Sequence, residues 1–151
     1  MNIVKHSKDL SSRQSQKRRF PFWINNSSNF LPSVLLGSLL GTYLDLYFIG
    51  KGFYSFPIRP MSTVFSINIV FTLIGLPLLI SVFLYACNKV NAWKKAGLII
   101  IFSMLMSVGE KQAEVYGLFV HSVSWKHIYS LIGYTLYLTL IYSFYSWSKR
   151  G

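Results

Sequence analysis

Apolar residues in this chain fall into four long blocks separated by short breaks rich in charge, glycine, proline or serine. The first runs from Phe30 to about Ile49 and the second from about Ser62 to Cys87. The third starts near Lys95 and is apolar to Val108, and the fourth runs from about Trp125 to Trp147. A helix of about 20 residues crosses the roughly 30 Å hydrocarbon core of a bilayer, and all four blocks reach that length. The pattern predicts an all-α, four-helix transmembrane bundle with helices over about 31–49, 62–87, 95–121 and 125–147, forming one membrane domain over 30–148.

Local signals refine these spans. Asn29 is placed to cap the first helix, and Pro32 falls in its first turn, where a missing N–H costs nothing. Pro77 sits in mid-span of the second helix and predicts a kink. Beyond Val108 the third block continues with helix-compatible residues, so its helix is expected to reach His121. The loop between helices 1 and 2, GKGFYSFPIRP, is expected to form an ordered turn at headgroup level.

Composition agrees with lipid as the solvent. The chain is 52% apolar, 17% aromatic and only 13% charged, where a soluble domain would be about a quarter charged. Residues 1–29 contain Lys5, Lys8, Arg13, Lys17, Arg18 and Arg19 among polar residues, which reads as a flexible basic tail. Its QKRRFPFW run suits a contact with anionic headgroups, although a generic orienting tail is the plainer reading. No cleavable leader is apparent, and the first helix is expected to remain in the mature protein.

The net charge of +11 raises the question of nucleic acid. The basic residues flank apolar blocks and carry no aromatic platform within a soluble module, so no nucleic-acid partner is expected. They are topology determinants instead. Eleven Lys and Arg residues lie on the side of the tail, the 2–3 loop and the C-terminus, against four on the other side. The positive-inside rule then puts both termini in the cytoplasm of a multi-pass plasma-membrane protein. Trp23, Trp93, Trp125 and Trp147 all fall near helix ends, where an aromatic belt forms. Cys87 is the only cysteine, so the chain has no internal disulfide and no CxxC site, and it reads as a small apolar residue.

Polar residues within the blocks are the candidates for function. Ser33, Gly37 and Gly41 form a small-residue seam on helix 1, suited to packing within the bundle or, less favourably, to a dimer seam. Asp45 lies one turn further along nearly the same face and is expected to look into the bundle. On helix 3, Ser103, Ser107, Glu110, Glu114, Gly117 and His121 recur at spacings of 4, 3, 4, 3 and 4, one polar stripe if the helix is unbroken. Glu110 is about 22 Å along the axis from Lys95, at the outer leaflet or its edge. His127 opens helix 4, followed along one face by Ser130 and Tyr134. Asn68 and Thr72 lie at similar depth on helix 2.

Asp45, Arg59, Asn68, Glu110, Glu114, His121 and His127 therefore form a candidate polar cluster in the outer half. One reading is a clasp in which the acids pair with Lys51, Arg59 or Lys111. The other is a site for protons, cations or a polar headgroup. Glu110, Glu114, His121 and His127 are possible ligand types, but the chain has no HExxH and no adjacent Glu–Glu pair, and the expectation is no metal and no cofactor.

The segments LLGTYLDLYFIGKGFYSFPIRP, FSINIVFTLIGLPLL and GEKQAEVYGLFVHSVSWKHIYSLIGY resemble a family of small, uncharacterised four-span membrane proteins of Gram-positive spore-forming bacteria. The resemblance covers about residues 31–140, implies a bacterial plasma-membrane location and carries no activity. The leading functional expectation is a non-catalytic binding, sensing or assembly component, with membrane lipids and either a membrane-protein partner or further copies of itself as partners. A membrane enzyme acting on a lipid-linked or envelope substrate is the first alternative. Proton or ion movement in an oligomer is the second.

Overall fold

Four helices carry the chain in the computed structural model, which describes residues 27–149. They are α1 (Ser27–Gly50), α2 (Leu76–Asn88), α3 (Ala92–Val115) and α4 (His127–Ser148). Each is long and apolar enough to cross a membrane, counting with α2 the turn that leads into it. The protein is an all-α four-helix bundle with the features of a multi-pass membrane protein. The basic tail, with Trp23 and QKRRFPFW, lies outside the described residues, as does Arg150.

The outer surfaces of the helices explain the composition. Leu35, Leu39, Leu73, Leu78, Ile101, Leu105, Ile132 and Leu136 all point outward and are exposed. A water-soluble bundle keeps such residues on its inner stripe. Hydroxyls along the helices donate to the carbonyl one turn back: Ser38 to Val34, Thr42 to Ser38, Ser103 to Ile99 and Thr135 to Leu131. That bond satisfies a hydroxyl that hydrocarbon would leave without a partner.

The dense core lies at the end of the bundle near the termini. Ile80, Phe83 and Leu84 of α2 and Leu138 and Ile141 of α4 are completely buried, with Phe30 and Val34 of α1 against them. Cys87 is buried in the same cluster. Asn88 and Tyr145 exchange hydrogen bonds of 2.8 and 3.0 Å across α2 and α4, closing that end.

Gly37 and Gly41 do their work here. A Cβ at Gly37 would come within 2.7 Å of Ile80 and 2.8 Å of Ile141, and one at Gly41 would run into the Leu76 side chain and reach 3.0 Å from the Tyr137 hydroxyl. The Tyr137 hydroxyl donates to the Gly37 carbonyl at 2.8 Å, a contact that requires the bare backbone. Ser33 on the same seam is fully buried. The seam therefore faces α2 and α4 within one chain. Gly41→Val is expected to lower stability by about 1–3 kcal/mol through overpacking. Thermal unfolding in detergent checks this against Gly97→Val, where the added Cβ meets nothing within 4 Å.

Three boundaries differ from the expected ones in ways that bear on the packing and the site, beyond shifts of two or three residues at the starts of α3 and α4. Helix α1 begins at Ser27, so Asn29 lies inside it and accepts from Ser33 and Ser148 rather than capping, and Pro32 lies beyond the first turn. The second helix does not start at Ser62. Residues 60–68 form turns and bends, and the helix enters through a π-helical turn, Phe71–Gly75, directly before Leu76 and Pro77. A proline ring cannot sit against a regular preceding turn, and the widened turn accommodates it.

The third difference matters most for the site. Helix α3 stops at Val115 instead of running to His121. Gly117 takes φ +69°, its N–H donates to Glu114 O at 2.9 Å, and the Leu118 N–H donates to Ala113 O at 2.9 Å. These two bonds and the left-handed glycine are a Schellman ending, which uses up the last carbonyls of the helix. The chain then returns as a short strand, β2 (Val120–His121), antiparallel to β1 (Tyr54–Ser55) from the 1–2 loop. Tyr54 pairs with His121 and Ser55 with Val120, and Ser122 N–H donates to Phe53 O at 2.8 Å. The two loops at the end of the bundle away from the termini are thus clasped together.

Candidate functional site

Helix α3 supplies two carboxylates on one face, Glu110 and Glu114, one turn apart. Glu110 is nearly buried, with its side chain 7% exposed. One carboxylate oxygen, Oε1, accepts from Ser130 Oγ of α4 at 2.5 Å, and the other, Oε2, accepts from the Tyr134 hydroxyl. Ser130 in turn accepts from the indole N–H of Trp125 at 3.0 Å. A relay of donors from Trp125 and α4 thus converges on one acid that would otherwise face hydrocarbon.

His121 arrives on β2 rather than on the helix. Its backbone N–H and its Nδ1 both contact the same oxygen of Glu114, at 3.0 and 2.6 Å. Its other nitrogen, Nε2, lies 2.8 Å from Glu110 Oε1 but makes no hydrogen bond, so that approach lies off the N–H axis. The imidazole stacks on Trp125 with 10° between the planes and takes the edge-on rings of Phe119 and Tyr54. Its side chain is only 6% exposed. His127, at the first turn of α4, stands with Nε2 4.0 Å from Glu114 Oε2, its side chain 55% exposed.

Asp45 joins from α1. Its carboxylate accepts from the Tyr54 hydroxyl of β1 at 2.6 Å. Burial first, and then the facing Asp45 carboxylate, pushes the Tyr54 phenol above its ordinary range, so it stays protonated as a donor. Tyr54 is also a hub of ring contacts, touching Phe48, Phe56, Phe119 and Trp125.

Between these groups and the dense core lies a cavity of about 410 Å³. Leu40, Leu44, Leu76 and Met106 contribute apolar wall, while Asp45, Tyr54, Glu110, Ser130 and Tyr134 contribute polar groups. Four other wall residues, Phe71, Tyr129, Leu136 and Leu140, are also exposed on the outside of the bundle. The cavity therefore opens sideways, through the surface that lipid would cover.

Of the seven predicted cluster residues, five meet here: Asp45, Glu110, Glu114, His121 and His127. The other two do not. Arg59 turns inward on its own loop and donates to the carbonyls of Phe56, Ser62 and Phe65. Asn68 caps the entry to the second helix, its Oδ1 accepting from Phe71 N–H at 3.2 Å. Among the described residues no lysine or arginine forms an ion pair with Asp45, Glu110 or Glu114; the acids meet histidine and hydroxyl groups instead.

Comparison with known proteins returned no matching family model, no matching curated protein and no matching solved structure.

Tyr54 and Trp125 are the contributors that the sequence pattern does not single out. Trp125 has the position of an interfacial belt residue, like Trp93 and Trp147, which are largely exposed. The difference is a neighbour five residues on, Ser130, that accepts its N–H. Tyr54 lies in an aromatic-rich loop and offers no spacing signal at all. Only the pairing of β1 with β2 carries it to Asp45.

Proposed function

We propose that this is a plasma-membrane protein with both ends in the cytoplasm, whose outer half binds a small amphiphile with a cationic, hydrogen-bond-donating head. The reading is non-catalytic: a binding or sensing component rather than an enzyme. The supporting observation is the laterally open cavity with apolar walls and two carboxylates, Asp45 and Glu110, at its polar end. Its volume falls in the range of about 300–1,000 Å³ typical of small-ligand sites. With no lysine or arginine among the described residues paired to them, these acids favour a positive head over an anionic one. The side opening lets a ligand enter from the bilayer without crossing water.

A bromine-labelled alkylamine and a fatty acid of the same chain length test this in nanodiscs, read by quenching of tryptophan fluorescence, with Trp125 on the cavity wall as the reporter. The expected result is saturable quenching by the amine and none beyond lipid background by the acid. Asp45→Asn should weaken the amine by roughly tenfold, the loss expected for one charge-assisted hydrogen bond. Equal quenching by both amphiphiles, unchanged in Asp45→Asn, would sink the proposal.

A further inference from the structure

The lone pairs around His121 do not balance. Glu114 Oε1 accepts the backbone N–H of His121, so it serves as an acceptor, and the 2.6 Å contact with Nδ1 then requires the ring proton on Nδ1. In the neutral ring this leaves Nε2 as a bare acceptor. That acceptor lies 2.8 Å from Glu110 Oε1, a carboxylate oxygen that already accepts from Ser130. Two electron-rich atoms in a buried place repel unless a cation stands between or beside them. Nε2 is fully buried and forms no hydrogen bond, and the stacked Trp125 ring fixes where it points.

A third donor is at hand. One ligand atom each from Glu110, His121 and His127 lies within 4.8 Å of the others. Tetrahedral zinc with bonds of about 2.0–2.1 Å needs its donors about 3.3 Å apart. The Glu110–His121 pair would open slightly and His127 would swing inward, which its half-exposed position at the start of α4 allows. The surroundings already have the form found behind metal ligands. Glu114 holds the Nδ1–H of His121, and Ser130 and Tyr134 hold Glu110, as outer carboxylates and hydroxyls hold ligands in zinc centres.

We propose that Glu110, His121 and His127 form a binding site for a divalent transition metal, zinc by donor type, with Glu114 as the positioning carboxylate. Two imidazoles and one carboxylate are a recognised zinc donor set, and three protein ligands leave a coordination position free. The sequence offers these ligand types without a diagnostic spacing, because the helix ends before His121. The site goes beyond the amphiphile reading and shares only Glu110 with it.

The test uses the full chain, freed of any affinity tag, in nanodiscs after chelation and dialysis. Zn²⁺ alone is titrated by calorimetry, and Co²⁺ alone by its visible absorption bands. The third histidine of the chain, His6, is replaced in a His6→Ala background so that the tail cannot bind the metal. The expected result is one ion per chain, a tetrahedral Co²⁺ spectrum and a higher unfolding temperature when loaded. His127→Ala should weaken binding at least tenfold while the metal-free variant unfolds at the temperature of the metal-free parent. Glu114→Gln should weaken it by about 10–100-fold. Absence of stoichiometric metal, or binding that His127→Ala leaves unchanged, overturns the site and assigns the cation beside Nε2 as a proton. Neither result bears on amine binding in Asp45→Asn, so the two proposals can fail separately.

Discussion

Glu110→Leu is expected to destabilise the folded bundle by roughly 3–5 kcal/mol, the cost of removing one partner from a buried charged network. The leucine fills similar space, so loss of packing is not the cause. The Tyr134 hydroxyl and Ser130 Oγ lose their acceptor, and His121 loses the carboxylate beside Nε2. Tyr134→Phe removes one donor to the carboxylate, and Ser130→Ala removes one and also leaves the Trp125 N–H without its acceptor; each should cost about 1.5–3 kcal/mol, less than the loss of the acid. Reversible unfolding in mixed micelles gives all of these values, and the double variants give the coupling. Wild-type stability in Glu110→Leu would mean that the acid does not organise its neighbours.

The second large effect is expected at Tyr54. Truncation to alanine removes a ring that touches Phe48, Phe56, Phe119, His121 and Trp125, and should cost about 3–5 kcal/mol. Tyr54→Phe keeps the ring and removes only the donor to Asp45, which should cost about 1–3 kcal/mol for the acceptor left unpaired. The difference between the two variants separates the clasp from the hydrogen bond. Hydrogen exchange at Phe53, Tyr54 and Ser122 should rise in Tyr54→Ala, because the strand pair rests on that ring. Protection equal to wild type would show that the clasp holds without it.

Much of this architecture is legible in the order of the amino acids. Four uninterrupted apolar blocks permit few architectures, since a backbone in hydrocarbon must bond to itself. The common level of most of the polar residues along the bundle is legible too, because a helix rises a fixed distance per residue. What periodicity does not show is where regularity stops. The stripe from Ser103 to His121 keeps its spacing across Gly117, yet the glycine there ends the helix. A glycine just past the last apolar turn is the recognised stop signal, and its place in the polar stripe masks it. His121 still reaches Glu110 and Glu114, but by a turn and a strand. Depth alone places Arg59 near the acids, but a loop crowded with carbonyls captures it first. Strands of two residues carry no pattern to read, so the clasp and Tyr54 with it have no signature.

The clasp also bears on how the chain is built in the membrane. Asp45 enters with the first pair of helices, and the tyrosine that satisfies it sits in the loop between them, held by a strand that arrives only with the second pair. Glu110 likewise waits for α4, the last helix to be made. A chain halted after three helices therefore carries Glu110 without Ser130 and Tyr134, its donors on α4. Completion of the final hairpin thus supplies the donors to Glu110 and the strand that holds Tyr54 beside Asp45.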